Sequence, residues 1–177
     1  MAGLEDEVKK AIRSIPNYPR DGVVFRDLTT LWKDGRVTKG VSDAMVGRWK
    51  NERLDKIVGI EARGFIVGAP VADRLGIGFV PARKAGKLPV DKVSVEYELE
   101  YGKGGLEMHR DAISKGERVL IVDDLLATGG TAKAAAALVE KLGGEVVGLA
   151  FIAELNSLGG RRKLDGYQVF SVAKYDG

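Results

Sequence analysis

Two adjacent carboxylates, Asp123 and Asp124, stand just ahead of a run of small residues, Ala127-Thr128-Gly129-Gly130-Thr131. The two groups suit opposite tasks. Glycines let backbone N–H groups close around an anion, and Thr128 and Thr131 add hydroxyl donors. The acid pair repels an anion and suits hydroxyl donors or a metal. A sugar phosphate satisfies both halves, with its phosphate in the loop and its ribose hydroxyls on the acids. The loop lacks the Gly-Lys-Ser/Thr of a nucleoside-triphosphate loop and the spaced glycines of the dinucleotide fingerprint. The structural alternative is an acidic turn at a strand end followed by a glycine-rich connection.

The flanking residues say what must carry this stretch. Val119 to Val122 form a short apolar run, mostly β-branched, which reads as a fully buried strand. Ala135, Leu138, Val139 and Leu142 then fall on one face of a helix. A loop between strand and helix lies at the carboxyl end of the strand, where open α/β sheets bind ligands and a helix N-terminus favours anions. The same order recurs at Lys56–Ile60, a strand followed by Glu61-Ala62-Arg63-Gly64-Phe65 and a helical pattern. Arg63 there marks a second anion site or, alternatively, a surface pair with Glu61. A strand over Ile77–Pro81 leads into Arg83-Lys84-Ala85-Gly86-Lys87, three cations in five residues. Such a run is ordinarily a solvated loop.

Asp-Asp-Leu-Leu-Ala-Thr-Gly-Gly-Thr, behind its apolar strand, resembles the phosphoribosyl-pyrophosphate motif of the type I phosphoribosyltransferases, in the wording of the adenine-using members. The resemblance extends from Val24 to Tyr175. It implies an α/β domain with a mostly parallel central sheet flanked by helices, a small N-terminal hood and a flexible lid arm. One domain covers 1–177, with the hood at 1–35, the lid and pyrophosphate loop at 83–109, and the phosphoribosyl pyrophosphate core at 118–142.

The implied activity is that of a pentosyltransferase in purine salvage. Adenine and phosphoribosyl pyrophosphate give AMP and pyrophosphate, with Mg²⁺ held mainly through substrate and by no direct protein ligand. Asp123, Asp124 and Ala127 to Thr131 (Thr128, Gly129, Gly130 between) hold the phosphoribosyl group. Val24, Phe25 and Arg26 form the hood over adenine, with Leu125 opposite; a short edge strand is the alternative for the hood. Arg63, Arg83, Lys84, Lys87 and Tyr101 face pyrophosphate. His109 reads first as an exposed strand residue, with a reach to pyrophosphate in a closed state. Glu100, in Leu-Glu-Tyr-Gly, is the implied proton acceptor. The resemblance also implies a homodimer, with Arg83 acting in its own or the partner subunit. Rival readings are the same transfer to another base, such as xanthine or orotate, and a non-catalytic phosphoribosyl pyrophosphate sensor.

The remaining chain sets the frame. Leu4, Val8, Ala11, Ile12 and Ile15 predict a short helix ended by Pro16 and Pro19, and Val37, Val41, Met45 and Trp49 predict a second. Leu88 to Gly105 alternates as a hairpin arm with Gly102, Gly104 and Gly105 in its turn. Val146 to Ile152 and Gln168 to Val172 predict two further strands. The 177 residues suffice for one real core. A net charge of +3 without a basic patch argues against nucleic acid, and no apolar run is long enough for a membrane span. The absence of cysteine removes disulfides and thiolate catalysis and is compatible with a cytoplasmic setting.

Overall fold

The computed structural model describes residues 2–99 and 102–176. The elements run α1 (Ala2–Ala11), β1 (Arg13–Pro16), β2 (Val24–Asp27), a 3₁₀ turn (Leu28–Lys33), α2 (Gly35–Trp49), β3 (Lys56–Ile60), α3 (Arg63–Leu75) and β4 (Gly78–Lys84). They continue with β5 (Lys92–Leu99), β6 (Gly102–His109), β7 (Arg118–Leu126), α4 (Gly130–Lys141), β8 (Glu145–Leu155), the short α5 (Gly160–Lys163) and β9 (Val169–Tyr175).

Seven strands form one sheet in the order β5-β6-β4-β3-β7-β8-β9, and β1 and β2 form a separate antiparallel pair. The strands β4, β3, β7, β8 and β9 run parallel. The arm β5–β6 is antiparallel and joins the sheet through β4. Val119 to Val122 lie at the centre with no exposed surface, as an apolar strand between two parallel neighbours requires. Alternation sends Ile121, Val58 and Phe151 to a core under α4, which contributes Ala135, Leu138 and Val139. It sends Leu120, Val122 and Ile57 to the opposite core, closed by Met45 and Trp49 of α2, Val67 and Val71 of α3 and Val8 of α1.

Three expectations shift. Ile15 lies in β1 rather than in the first helix, which stops at Ala11. Pro16 disfavours helical backbone at the residue before it, and the Arg13 amide donates instead to Thr30 Oγ1 at 3.0 Å. Arg83 and Lys84 are strand rather than loop, because they pair with Glu107 and Leu106 of β6. Gly102, Gly104 and Gly105 are paired strand residues, opposite Leu99, Tyr97 and Glu96. No helix among the described residues is long and apolar enough to cross a membrane.

Candidate active site

The carboxyl ends of β3, β4 and β7 open on one cavity of about 630 Å³. Residues 60–63 form one wall, 84–85 and 104–106 with Tyr97 another, and 123–132 the floor. The acid pair, Leu125 and the whole loop Ala127 to Thr131 therefore meet Arg63 and Lys84 in one place, as the sequence argument requires.

The helix ends show what the floor is for. The first turn of a helix leaves backbone N–H groups without partners inside the helix. At α2, Asp34 takes two of them, from Arg36 at 2.9 Å and Val37 at 3.1 Å. At α3 and α4, which start beside the cavity, no side chain caps the end. Two uncapped N-termini aimed at one cleft make a site for two anionic groups.

Close backbone contact fixes the α4 end. Gly129 caps it with φ +79°, a left-handed conformation that side chains rarely adopt. A Cβ at Gly129 would lie 2.5 Å from the Gly160 carbonyl oxygen, and one at Gly160 would lie 2.2 Å from the Ala127 carbonyl oxygen. The loop is thus wedged against the segment after β8. That segment is anchored in turn: Arg161 of α5 reaches the buried Glu154 at 2.8 and 2.5 Å, and Ser171 donates to the same carboxylate at 2.8 Å. Burial alone would raise the Glu154 carboxyl, but these donors hold it below the usual carboxylate range.

The two aspartates differ. Asp124 is buried and forms an ion pair with Arg63 Nε. Burial would lower the Arg63 guanidinium, but Asp124, then Asp123 and Asp27, raise it above its ordinary value. Asp123 accepts from the Asp124 amide at 2.8 Å. Loss of hydration, then the Asp124 charge, push its carboxyl well above the ordinary range. The start of α3 presses against it from below, since a Cβ at Gly64 would lie 2.8 Å from Asp123 Oδ1. The alternative reading of Arg63, a surface pair with Glu61, does not form. Glu61 binds Arg83 instead, at 2.9 Å from Nη2, and accepts from the Lys84 amide at 2.8 Å. Arg83 first, and the Lys84 amide, hold the Glu61 carboxyl low against burial.

Other expected site residues stand apart. Arg83 and Lys87 are not among the cavity-lining residues, although Lys84 is. His109 ends β6 and borders a different depression with Val90, Asp91, Arg110 and Asp111. Val24, Phe25 and Arg26 form β2 of the small sheet and do not line the cavity. Phe25 meets Tyr18 edge-on at 5.3 Å, and Arg26 stacks over the Tyr175 ring at 4.2 Å while donating to Ser14 Oγ at 2.5 Å. Glu100 and Tyr101 lie outside the described residues. Sequence reasoning passed over Tyr97, which lines the cavity from the arm, and Gly160, whose partner is distant in the chain. A lone aromatic in an alternating strand gives no signal of its own.

Residues 35–175 match the family of phosphoribosyl transferase domains. An adenine phosphoribosyltransferase of Methylobacillus flagellatus is 56% identical over 171 residues, 96% of this chain and 97% of that protein. The chain belongs to the adenine phosphoribosyltransferase family. The crystal structure of the family member from Thermoanaerobacter pseudethanolicus superposes with a TM-score of 0.92 at 50% identity, over 96% of this chain and 99% of that one. The Saccharomyces cerevisiae adenine phosphoribosyltransferase, solved with an imino-altritol bisphosphate and adenine, superposes with a TM-score of 0.91 at 40% identity, over 97% and 99% of the two chains. The α/β architecture with its mostly parallel sheet is thus that of adenine phosphoribosyltransferases, and the chain is a pentosyltransferase of that class.

Proposed function

We propose that the chain transfers the 5-phosphoribosyl group of phosphoribosyl pyrophosphate to adenine, giving AMP and pyrophosphate. The supporting observation is the pair of uncapped helix N-termini around one acidic floor. The α4 end and Ala127 to Thr131 take the 5′-phosphate. Asp123 takes the ribose hydroxyls, with Asp124 beside it. The α3 end, Arg63 and Lys84 face the leaving pyrophosphate, with Arg83 and Lys87 just outside the cavity in the same basic segment.

Breaking the bond at the anomeric carbon builds positive charge on the sugar and negative charge on the leaving group. Fixed donors aimed at that negative charge lower the barrier without reorganising. Holding both reactants on one frame contributes on the order of 7–11 kcal/mol. Val24, Phe25 and Arg26 cover adenine from the hood, Leu125 supplies an apolar contact from the floor, and Glu100 takes the purine proton. The family resemblance assigns Tyr101 to pyrophosphate, and His109, which borders another depression here, only in a closed state.

Asp124 is held by Arg63, so a hard divalent ion would be carried mainly by substrate oxygens. When bound, Mg²⁺ would neutralise part of the pyrophosphate charge. A homodimer and a cytoplasmic setting complete the reading. The dimer rests on family resemblance, and a fully active monomer in light scattering at micromolar concentration would remove it.

The experiment is a base panel with phosphoribosyl pyrophosphate and Mg²⁺. Adenine should give AMP and pyrophosphate in equal amounts, and hypoxanthine, guanine and xanthine little product. Comparable turnover with guanine would overturn the base assignment, and no turnover with any purine would leave the sensor reading.

A further inference from the structure

A buried carboxylate lies behind the floor of the cleft. Glu154, near the end of β8, is 2% exposed, and neither it nor its partner Arg161 lines the cavity. In the sheet it stands between Leu126 of β7 and Lys174 of β9. Arg161 reaches both of its oxygens, Nε to Oε1 at 2.8 Å and Nη2 to Oε2 at 2.5 Å, and Ser171 Oγ donates to Oε2 at 2.8 Å. The third nitrogen of the guanidinium, Nη1, donates to the Val169 carbonyl at 3.0 Å. One planar fork therefore ties α5 to β8 and β9, a bidentate geometry that lysine does not reproduce.

Arg161 directly follows Gly160, the residue against which the small loop rests. A Cβ on Gly129 would meet the Gly160 Cα at 3.1 Å as well as its oxygen, and a Cβ on Gly160 would come within 2.9 Å of the Gly129 nitrogen. The two backbones touch without side chains between them, so a shift at residue 160 passes straight to 127–129. The far end of the same segment is tied to the helix that the loop starts. Tyr167 Oη donates to Glu140 of α4 at 2.6 Å, and Lys133 Nζ lies over its ring at 4.9 Å. The Lys133 amide closes on the Gly129 carbonyl at 3.0 Å. The segment is thus held on β8 and β9 at one end and on α4 at the other.

We propose that Glu154 is a positioning residue for the 5′-phosphate: through Arg161 it fixes the Gly160 backbone, and Gly160 fixes the loop Ala127 to Thr131 that receives the anion. This rests on the phosphoribosyl-transfer reading above. Strength alone does not account for such a pair, since the desolvation of a buried ion pair offsets its attraction and well-packed apolar residues often serve as well. What apolar residues lack is direction. The fork admits one orientation of α5, and a displacement of about 1 Å at a positioning group can cost on the order of 10²-fold.

The test compares the KM for phosphoribosyl pyrophosphate with the KM for adenine, in the presence of Mg²⁺, and adds calorimetric binding of ribose 5-phosphate, which needs no turnover. The double variant Glu154→Gln with Arg161→Met removes both charges together, so no unpaired charge is left buried, and it keeps an acceptor for Ser171. Its KM for phosphoribosyl pyrophosphate should rise at least about fivefold, with the KM for adenine within about twofold, because lost charge-assisted hydrogen bonds are partly recovered as the segment relaxes. Ribose 5-phosphate binding should weaken by the same factor. Arg161→Lys keeps the cation and one hydrogen bond but not the fork, and should give a rise of about threefold. It carries the decision where thermal melts show the double variant unfolded. Arg118→Met cuts the ion pair with Glu145 at the opposite ends of β7 and β8 and, as a distant site, should leave both constants within about twofold. An unchanged KM for phosphoribosyl pyrophosphate in the folded variants overturns the proposal, as does an equal rise in the adenine KM or an equal effect of Arg118→Met. Failure of the wild type to form AMP while it still binds ribose 5-phosphate would instead overturn the parent reading.

Discussion

The floor of the cleft and its outer parts are built differently. The floor is backbone: the α3 and α4 ends, the Gly129–Gly160 contact and an acid pair seated on Gly64. Its supports lie in the core, and Val119 to Val122 beneath it are fully buried. The hood and arm are side chains on surface hairpins. Val24 is 40% and Phe25 36% exposed, and β1–β2 forms a sheet of its own. Backbone held by a core presents one geometry, which suits a phosphate and a ribose that never vary. Exposed side chains on hairpins can be exchanged without disturbing the sheet, which on the proposed reading suits the choice of base.

If the floor is set by backbone contact, the largest loss should come from one methyl group there. Gly129→Ala must place a Cβ 2.5 Å from the Gly160 oxygen at φ +79°. The account expects kcat/KM for phosphoribosyl pyrophosphate to fall about 10²-fold, the scale of a 1 Å misplacement. A near-normal value in steady-state kinetics would mean that side chains, not backbone, hold the phosphate. Gly130→Ala should be milder, because a Cβ there meets only ordinary contacts at 3.5 and 3.6 Å.

Next comes the arm. Glu100→Gln should lose at least about tenfold in turnover while both substrates still bind, a floor set beneath the usual general-base contribution because glutamine keeps a hydrogen bond. Glu98→Gln, two residues earlier on an exposed strand position, should remain close to normal. Equal behaviour of the two would take Glu100 out of the mechanism.

The hood should give a smaller and more selective effect. Arg26 stacks on Tyr175, and removing the ring with Tyr175→Leu loosens the strand that carries Val24 and Phe25. A cation–π contact of about 0.5–1 kcal/mol corresponds to a rise of about two- to fivefold in the adenine KM. The KM for phosphoribosyl pyrophosphate should hold. A parallel rise in both constants would erase the distinction between floor and hood.

The smallest effect is on stability. Asp123 has a raised carboxyl in the folded chain, so the folded state binds its proton more tightly than the unfolded state. Its contribution is most favourable below the ordinary value of 3.8 and is lost as pH rises from there through the raised folded value. Asp123→Asn removes that cost at neutral pH while its side-chain oxygen still accepts from the Asp124 amide. The melting temperature of the free protein should rise by about 2–4 °C per kcal/mol relieved. A lower melting temperature at neutral pH would contradict the burial argument.

The division between floor and surround also marks what the sequence disclosed. The buried strands were legible because apolar runs between turn residues admit few other readings, and the acid pair and its small loop do meet at one cavity. The rest depended on partners far apart in the chain. Gly129 and Gly130 look alike in sequence, and only the approach of Gly160 separates them. Arg83 and Lys84 look like loop because cations at a strand end carry no pattern, and pairing with β6 decides otherwise. Glu61 and Arg63 look like a pair, yet each binds a residue from another strand.

The most direct test of a prebuilt floor is calorimetric titration of ribose 5-phosphate into the free protein, without adenine or pyrophosphate. The account predicts saturable binding of one molecule per chain, abolished by Gly129→Ala and unaffected by Tyr175→Leu. Binding that appears only once adenine is added would show that the hood assembles the floor, and would contradict the account.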